Sequence, residues 1–386
     1  MKKNYIQLIA FILLSFSTFA QYPIGSTTIT FNDASRTGGY GSGGGSGRQI
    51  QTEVYYPAIA AGVDASVASG VFPVITFGHG FAMSWDAYQN IWEHYVPLGY
   101  IVVFPRTEGS LFPAPSHGDF GLDLKLVDEK MQLLNSNAAS PFYQKISSNS
   151  AIMGHSMGGG ATILAGAGNT SIETIIGFAP AETTPSAIAA APNVTAPAII
   201  FSGSQDGVTP PNDNHLPIYD GLASSCKSFV SLIGGGHCYF ANTNFNCDFG
   251  ETTSSTGITI TRTEQQTRTY SVLDPWLDYI LKGNSAAYST YLTALDAMPT
   301  EIVSQTTCQA LAIDEMEMDF HFYPNPANDK LTIENPTNQE LSVEVYNLLG
   351  SLVLSKKVQS EVDLSVLKSG FYQLKINSTV YSIVKE

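Results

Sequence analysis

The sequence predicts an α/β protein: a mostly parallel sheet with helices on both faces, followed by a small all-β sandwich domain. Three observations carry this. Short apolar runs alternate with helix-period segments from Val71 to Lys282, the pattern of parallel strands joined by crossover helices. One such run, Ala151-Ile152-Met153, passes into a glycine-rich turn and then into the helix-forming Ala161-Thr162-Ile163-Leu164-Ala165. After Thr307 the texture changes to short alternating strands separated by turns.

The totals agree. The chain has 386 residues, enough for two domains and one large core, and is 44% apolar. Charged residues make up only 13%, as suits a secreted protein, and the net charge of −15 argues against nucleic acid or an anionic membrane as partner. Met1-Lys2-Lys3 followed by the apolar run Ile6 to Phe19 reads as a signal peptide over residues 1–20, too short for a comfortable membrane span. Cleavage after Ala20 leaves Gln21 first, with no cysteine for a lipoprotein anchor. The four cysteines, Cys226, Cys238, Cys247 and Cys308, are exported with the chain and allow two disulfides in three connectivities. Cys238 with Cys247 is the most local pairing and would pin the loop that carries His237. No Cys/His cluster has metal-ligand spacing, so no metal and no cofactor are expected.

In order, Ser26 to Phe31 and Arg48 to Tyr55 read as an N-terminal hairpin. The glycine-rich stretch Gly38 to Gly47 has no following lysine or helix, which excludes a phosphate loop and leaves a flexible connector. Val71 to Phe77 is fully apolar and reads as a central parallel strand. Ser84 then caps a helix from Trp85 to Leu98. Tyr100 to Phe104 is a strand, and the spacing of Leu122, Leu126, Met131 and Leu134 predicts a helix over Asp119 to Leu134. Ile172 to Phe178, Ala198 to Phe201 and Phe229 to Ile233 are further strands, with a short helix near Leu216 to Leu222 and a closing helix over Tyr270 to Lys282. Asp314, Glu315, Glu317 and Asp319 mark an acidic linker over residues 308–320 between a 21–307 catalytic domain and a 321–386 β module. The module contains no cysteine, and no catalysis is expected there.

The chemistry sits around the turn. Gly154-His155-Ser156-Met157-Gly158 is a Gly-x-Ser-x-Gly pentapeptide between a strand and a helix, the form of an α/β-hydrolase nucleophile elbow. Glycines stand two residues either side of the serine because the turn leaves no room for Cβ atoms there, and the helix start favours an oxyanion. A serine hydroxyl needs a base, and the base an orienting acid, in chain order Ser, Asp or Glu, His, each after a strand. Asp206, after Ala198 to Phe201, and His237, after Phe229 to Ile233, complete that order. His215 is the alternative base, though it follows a proline-rich segment and no strand; Asp213 and Asp220 are the alternative acids. Two backbone N–H groups should stabilise the developing charge: that of Met157, and that of Phe81 in the loop after Val74 to Phe77, with Ala82 the alternative. His155 and Met157 flank the serine and are expected to line the pocket floor. Trp85 is a substrate-binding candidate, although Trp85 and Trp92 read more readily as core. His117 and Asp119 lie at the same sheet end and read as turn or cap residues.

From about Thr28 to Lys282 the chain resembles the dienelactone-hydrolase-like branch of α/β hydrolases, nearest to the cutinase-like polyester hydrolases that include enzymes acting on poly(ethylene terephthalate). The segments that carry the resemblance are Glu53 to Pro57, Gly154 to Gly160, Gln205-Asp206, Leu216 to Asp220 and Gly236-His237. It implies Ser156 as nucleophile, His237 as base, Asp206 as acid, and Phe81 and Met157 as oxyanion donors. One departure matters: where polyester hydrolases carry a tryptophan, this chain has Ala179-Pro180-Ala181-Glu182-Thr183-Thr184. Tyr323-Pro324-Asn325-Pro326-Ala327 and the strands to Glu386 resemble the C-terminal sorting domain of the type IX secretion system. That implies export to the extracellular or outer-membrane surface through the type IX machinery. The expectation is therefore a secreted, monomeric serine ester hydrolase acting on small or polymeric esters without a cofactor. The rival readings are a phospholipid or platelet-activating-factor-type acetylhydrolase, a peptidase, or a non-catalytic surface protein on a hydrolase scaffold.

Overall fold

The computed structural model describes residues 21–297, 299–308, 320–335, 341–347, 351–376 and 379–386. The expected signal peptide and nearly all of the expected acidic linker lie outside the described residues. The chain divides into two compact units, Met1–Ala310 and Leu311–Glu386.

The first unit begins with β1 (Ile24–Asp33), β2 (Gly39–Tyr40), β3 (Arg48–Pro57) and β4 (Gly62–Val63). Then follow β5 (Phe72–Gly78), α1 (Gln89–Tyr95), β6 (Ile101–Pro105), α2 (His117–Leu134), β7 (Ile146–His155) and α3 (Met157–Gly166). The second half comprises β8 (Thr174–Phe178), α4 (Ala187–Ala190), β9 (Ala198–Gly203), α5 (His215–Gly221), β10 (Lys227–Leu232), α6 (Phe245–Ser254), α7 (Arg262–Lys282), α8 (Ser285–Ala297) and β11 (Ile302–Thr306). One sheet runs in the order β11-β10-β9-β8-β7-β5-β6-β3-β1-β4, with β2 beside β3. From β10 to β6 every neighbour is parallel. The antiparallel β1–β3 hairpin extends one edge of this parallel core and β11 the other.

Strands of the parallel core read as unbroken apolar runs because both faces are covered. Ile75, Phe77, Met153, Phe178 and Phe201 point to one face, into a core shared with α1, α7 and α8. Ile152, Ile175 and Ile200 point to the other, against α2, α3 and α5. The expected helix at Trp85 opens as a 3₁₀ turn, Trp85–Tyr88, without a side-chain cap from Ser84, because the Ser84 hydroxyl donates to the Asp86 carboxylate instead. The glycine-rich stretch expected to be a flexible connector is held in place. β2 pairs in parallel with β3, Gln49 accepts the Gly44 N–H (2.9 Å), and Arg36 and Arg48 both reach the buried Asp123 (2.8 and 2.7 Å). Helices α4, α6 and α8 and the strand β11 have no counterpart in the sequence expectation.

The second unit contains β12 (Phe322–Tyr323), β13 (Lys330–Ile333), β14 (Leu341–Asn347), β15 (Leu352–Val358), β16 (Glu361–Asp363), β17 (Gly370–Ile376) and β18 (Thr379–Lys385). They form a three-stranded sheet, β12-β13-β16, and a four-stranded sheet, β15-β14-β17-β18. Alternate residues Leu341, Val343 and Val345 share one core with Leu331, Ile333, Leu374 and Ile376, the period-two pattern of a sandwich. No helix among the described residues is long and apolar enough to cross a membrane.

One buried acid sets a pH dependence of stability. Asp128 on α2 faces the sheet and accepts hydrogen bonds from Ser150 Oγ (2.8 Å) and Thr76 Oγ1 (3.4 Å). Burial, opposed by those hydroxyls, raises its pKa to about 7. The folded state thus binds this proton more tightly than the unfolded chain, and the associated stability is lost as pH rises from about 4 to about 7. Asp128→Asn, which cannot ionise, should exceed the parent by about 2–4 kcal/mol at pH 8 and by nothing near pH 4, measured by denaturant unfolding. An equal advantage at both pH values would contradict this origin.

Candidate active site

Strand β7 ends at His155, α3 begins at Met157, and Ser156 alone makes the turn between them, with φ 56° and ψ −120°. A non-glycine residue at positive φ is strained and is retained where its surroundings over-determine it. Here they do. Ser156 N–H donates to the Phe178 carbonyl (2.9 Å), and the Ser156 carbonyl accepts from the N–H groups of Gly160 (3.0 Å) and Ala181 (2.9 Å). A Cβ on Gly154 would lie 2.3 Å from the Gly158 carbonyl oxygen, and one on Gly158 would lie 2.1 Å from that of Gly78. The end of β5 therefore rests directly on the first turn of α3. This brings the backbone that leads to Phe81 against the backbone that begins at Met157.

The structure brings the expected acid and the expected base, Asp206 and His237, together. His237 Nδ1–H donates to Asp206 Oδ2 at 2.7 Å, and both residues are buried. Asp206 Oδ1 accepts the N–H groups of Val208 (2.9 Å) and Thr209 (2.8 Å), while Oδ2 also accepts from Thr209 Oγ1 (3.0 Å). Burial pushes this carboxyl up, but His237 and the Thr209 N–H outweigh it and hold Asp206 below the ordinary carboxylate range.

His215 lies behind the pair, not at its working edge. Its ring is fully buried, with Nδ1 2.8 Å from Ser202 Oγ and Nε2 3.0 Å from Thr209 Oγ1. Burial lowers its pKa to about 3, so it is neutral. It thus sits between two hydroxyls, and Thr209 Oγ1 in turn lies 3.0 Å from Asp206 Oδ2. Asp213 and Asp220, the alternative acids, are exposed and bond to neither histidine.

His155 departs from expectation. It does not line an open pocket floor but is fully buried beneath the site. Tyr88 Oη accepts the Gly80 N–H (2.8 Å), so its own hydrogen serves His155 Nδ1 (2.8 Å). The His155 proton therefore sits on Nε2, where it meets the His237 carbonyl oxygen (3.0 Å). Burial, with His237 nearby, lowers the His155 pKa well below the ordinary range, in keeping with this neutral tautomer. One hydrogen-bonded line thus joins the loop after β5, the elbow and the loop after β10.

The loop after β10 is clamped further. Gln265 on α7 bonds both the N–H and the carbonyl of Gly236 (2.9 Å each), and Glu251 on α6 accepts the Cys238 N–H (2.5 Å). Cys238 is paired with Cys247, and Cys226 with Cys308. Tyr88, Thr209, Glu251 and Gln265 carry no motif, and each meets the site through a partner distant in sequence or in the loop geometry. Phe81 lies half-exposed in the loop after β5, and Ala82 beside it has φ 52°. Trp85 borders a cavity of about 550 Å³ with Tyr40, His79, Arg106 and Glu108, a cavity whose lining does not include Ser156. Trp92 is core, stacked on Tyr55 at 4.3 Å. His117 Nδ1 accepts the Thr184 N–H (3.0 Å), and Asp119 bonds the Ser116 cap and Arg36, so both are structural. Within the stretch Ala179 to Thr184, which carries no tryptophan, Thr183 is buried and donates to the Pro185 carbonyl (2.6 Å). Among the described residues no group of three or more His, Cys, Asp or Glu is arranged to hold a metal ion.

Comparison with known proteins agrees with this architecture. The PET hydrolase-like family matches residues 17–258, and the secretion system C-terminal sorting domain matches residues 321–386. Cutinase est1 of Thermobifida alba is 24% identical over 217 residues, which cover 55% of this chain and 64% of that protein. The chain thus spans less than two thirds of that relative's length. The C-terminal domain marks the protein for export to the extracellular or outer-membrane surface through the type IX secretion system. With a family match over most of its first unit, the chain belongs to the PET hydrolase-like family.

Proposed function

We propose that the protein is a secreted serine ester hydrolase of cutinase type, working through Ser156, His237 and Asp206, with polyesters among its substrates. The reading is carried by the buried His237–Asp206 bond of 2.7 Å together with Ser156 held at positive φ on its strand-to-helix turn. Asp206, kept ionised by its four donors, fixes the His237 proton on Nδ1 and leaves Nε2 as the base. His237 Nε2 takes the proton of Ser156 Oγ as that oxygen attacks the ester carbonyl. The N–H groups of Phe81 and Met157 receive the oxyanion, and collapse of the tetrahedral adduct expels the alcohol, protonated by His237. Water then gives its proton to His237 and attacks the acyl-enzyme, releasing the acid and restoring Ser156. The cutinase relative supports an ester carbonyl over an amide.

Hydrolysis of a p-nitrophenyl ester series beside an aromatic polyester film tests the reading. Ser156→Ala should lower kcat/KM on the order of 10⁴–10⁶-fold with an unchanged melting temperature. A variant that keeps its activity overturns the nucleophile assignment. Thr209→Val keeps the backbone donor but removes the hydroxyl from Asp206 Oδ2, and should cost about tenfold in kcat with little change in KM. Tyr88→Phe leaves the Gly80 N–H and His155 Nδ1 without their shared partner. It should lower stability by about 1–3 kcal/mol and reduce kcat, read from unfolding and from kinetics on the same short ester.

A further inference from the structure

Helix α6 supports the site on one side and presents bare aromatic surface on the other. Its inner contacts are firm. Asn244 caps it by accepting the Cys247 N–H (3.2 Å), Cys247 is bonded to Cys238 beside His237, and Asp248 pairs with Arg262 (2.7 Å). Asn246 Nδ2 donates to the Ala82 carbonyl (2.7 Å), which fixes the helix start to the loop of Phe81. On the outer side Phe245 is 83% exposed and Phe249 65% exposed. They lie one helical turn apart with rings stacked at 6.4 Å. No core requirement accounts for two phenylalanines in water on an otherwise polar helix.

Their position is not scattered. Among the described residues of the first unit, the exposed phenylalanines are Phe81, Phe112, Phe245 and Phe249. All four sit on connections leaving the carboxyl ends of β5, β6 and β10, the sheet end where Ser156 turns. Connections entering β5, β6 and β7 expose Val71, Leu98 and Tyr143, with no phenylalanine among them. The exposed phenylalanines of the first unit are thus confined to the sheet end of the candidate site, while the segment Ala179 to Thr184 supplies no aromatic residue.

We infer that Phe245 and Phe249 form an aromatic platform that seats the chain of a water-insoluble polyester at the sheet end that carries Ser156. This rests on the ester-hydrolase reading above and adds the residues that distinguish a polymer surface from a soluble ester. Flat rings on a disulfide-anchored helix lose little freedom when an apolar repeat lies across them. An anionic lipid surface fits less well. Helix α6 carries Asp248 and Glu251 and no lysine or arginine, and the whole chain has a net charge of −15. Interfacial helices that bind anionic bilayers carry basic polar faces.

The test uses the full chain, poly(ethylene terephthalate) film and Phe245→Ser/Phe249→Ser. Leu133→Ser, an exposed apolar position on α2, is the control. Adsorption to film is measured in a Ser156→Ala background, so that binding is read without turnover. The double substitution should reduce adsorption on the order of tenfold, as removal of a phenyl-sized apolar contact does. In the active background, product release from film relative to p-nitrophenyl butyrate turnover should fall by a similar factor. Leu133→Ser should move neither quantity. Unchanged film adsorption in the double variant overturns the platform. So does a loss confined to phosphatidylcholine vesicles, which would make the patch a lipid contact. A parent chain inactive on p-nitrophenyl butyrate would instead overturn the hydrolase reading, independently of what the film shows.

Discussion

The structure depends on one close backbone approach. At the elbow, β7 and α3 turn so sharply around Ser156 that Gly154 and Gly158 lie where Cβ atoms would overlap the carbonyl oxygens of Gly158 and Gly78. Strain at a φ of 56° is stable only because both neighbouring strands are locked in a parallel sheet, and because Phe178 and Ala181 hold the serine backbone from the next strand end. The large apolar core on both faces of the sheet therefore underwrites a local conformation that a loop alone would not keep. The same contact that strains the serine carries the loop after β5 onto the start of α3. The proposed nucleophile and the proposed oxyanion donors thus come from one packing event.

Around this contact the polar groups form two lines. One runs from Ser202 through His215 and Thr209 to Asp206. The other runs from Gly80 through Tyr88 and His155 to the His237 carbonyl. Both contain a buried neutral histidine, and for His155 the tautomer follows from the partners. Inside a protein such chains are stronger than in water, and any missing member leaves a costly unpaired group. They let Asp206 remain charged while almost fully buried, the state that orients His237. The histidine that flanks the serine in sequence thus acts in structure as a strut between loops.

Much of this was legible in the residues. The parallel-core strands, the elbow, the Asp206–His237 order and the second β unit all have local signatures: unbroken apolar runs, a glycine-framed serine, period-two alternation. What was not legible has no local signature. Thr209, Tyr88, Glu251 and Gln265 matter through partners brought near by the fold. Helix α6 buries only Cys247 and Glu251, so it shows no apolar stripe that periodicity could find. The side chain of His155 was expected to face the pocket because sequence adjacency to Ser156 suggests it. At a turn this sharp, adjacent side chains diverge, and Tyr88 holds His155 below. The glycine-rich stretch read as flexible is ordered by Arg36 and Arg48, whose common partner Asp123 lies on α2.

The central claim is that Ser156 is a nucleophile activated by His237. The most direct measurement is intact and peptide mass spectrometry after exposure of the full chain to an activated organophosphate, diethyl p-nitrophenyl phosphate. A serine activated in this way displaces p-nitrophenolate and keeps the diethylphosphoryl group. One equivalent of adduct on the peptide containing Ser156, absent in Ser156→Ala and strongly slowed in His237→Ala, is the predicted result. No adduct, or labelling at another residue with Ser156 unmodified, would contradict the account.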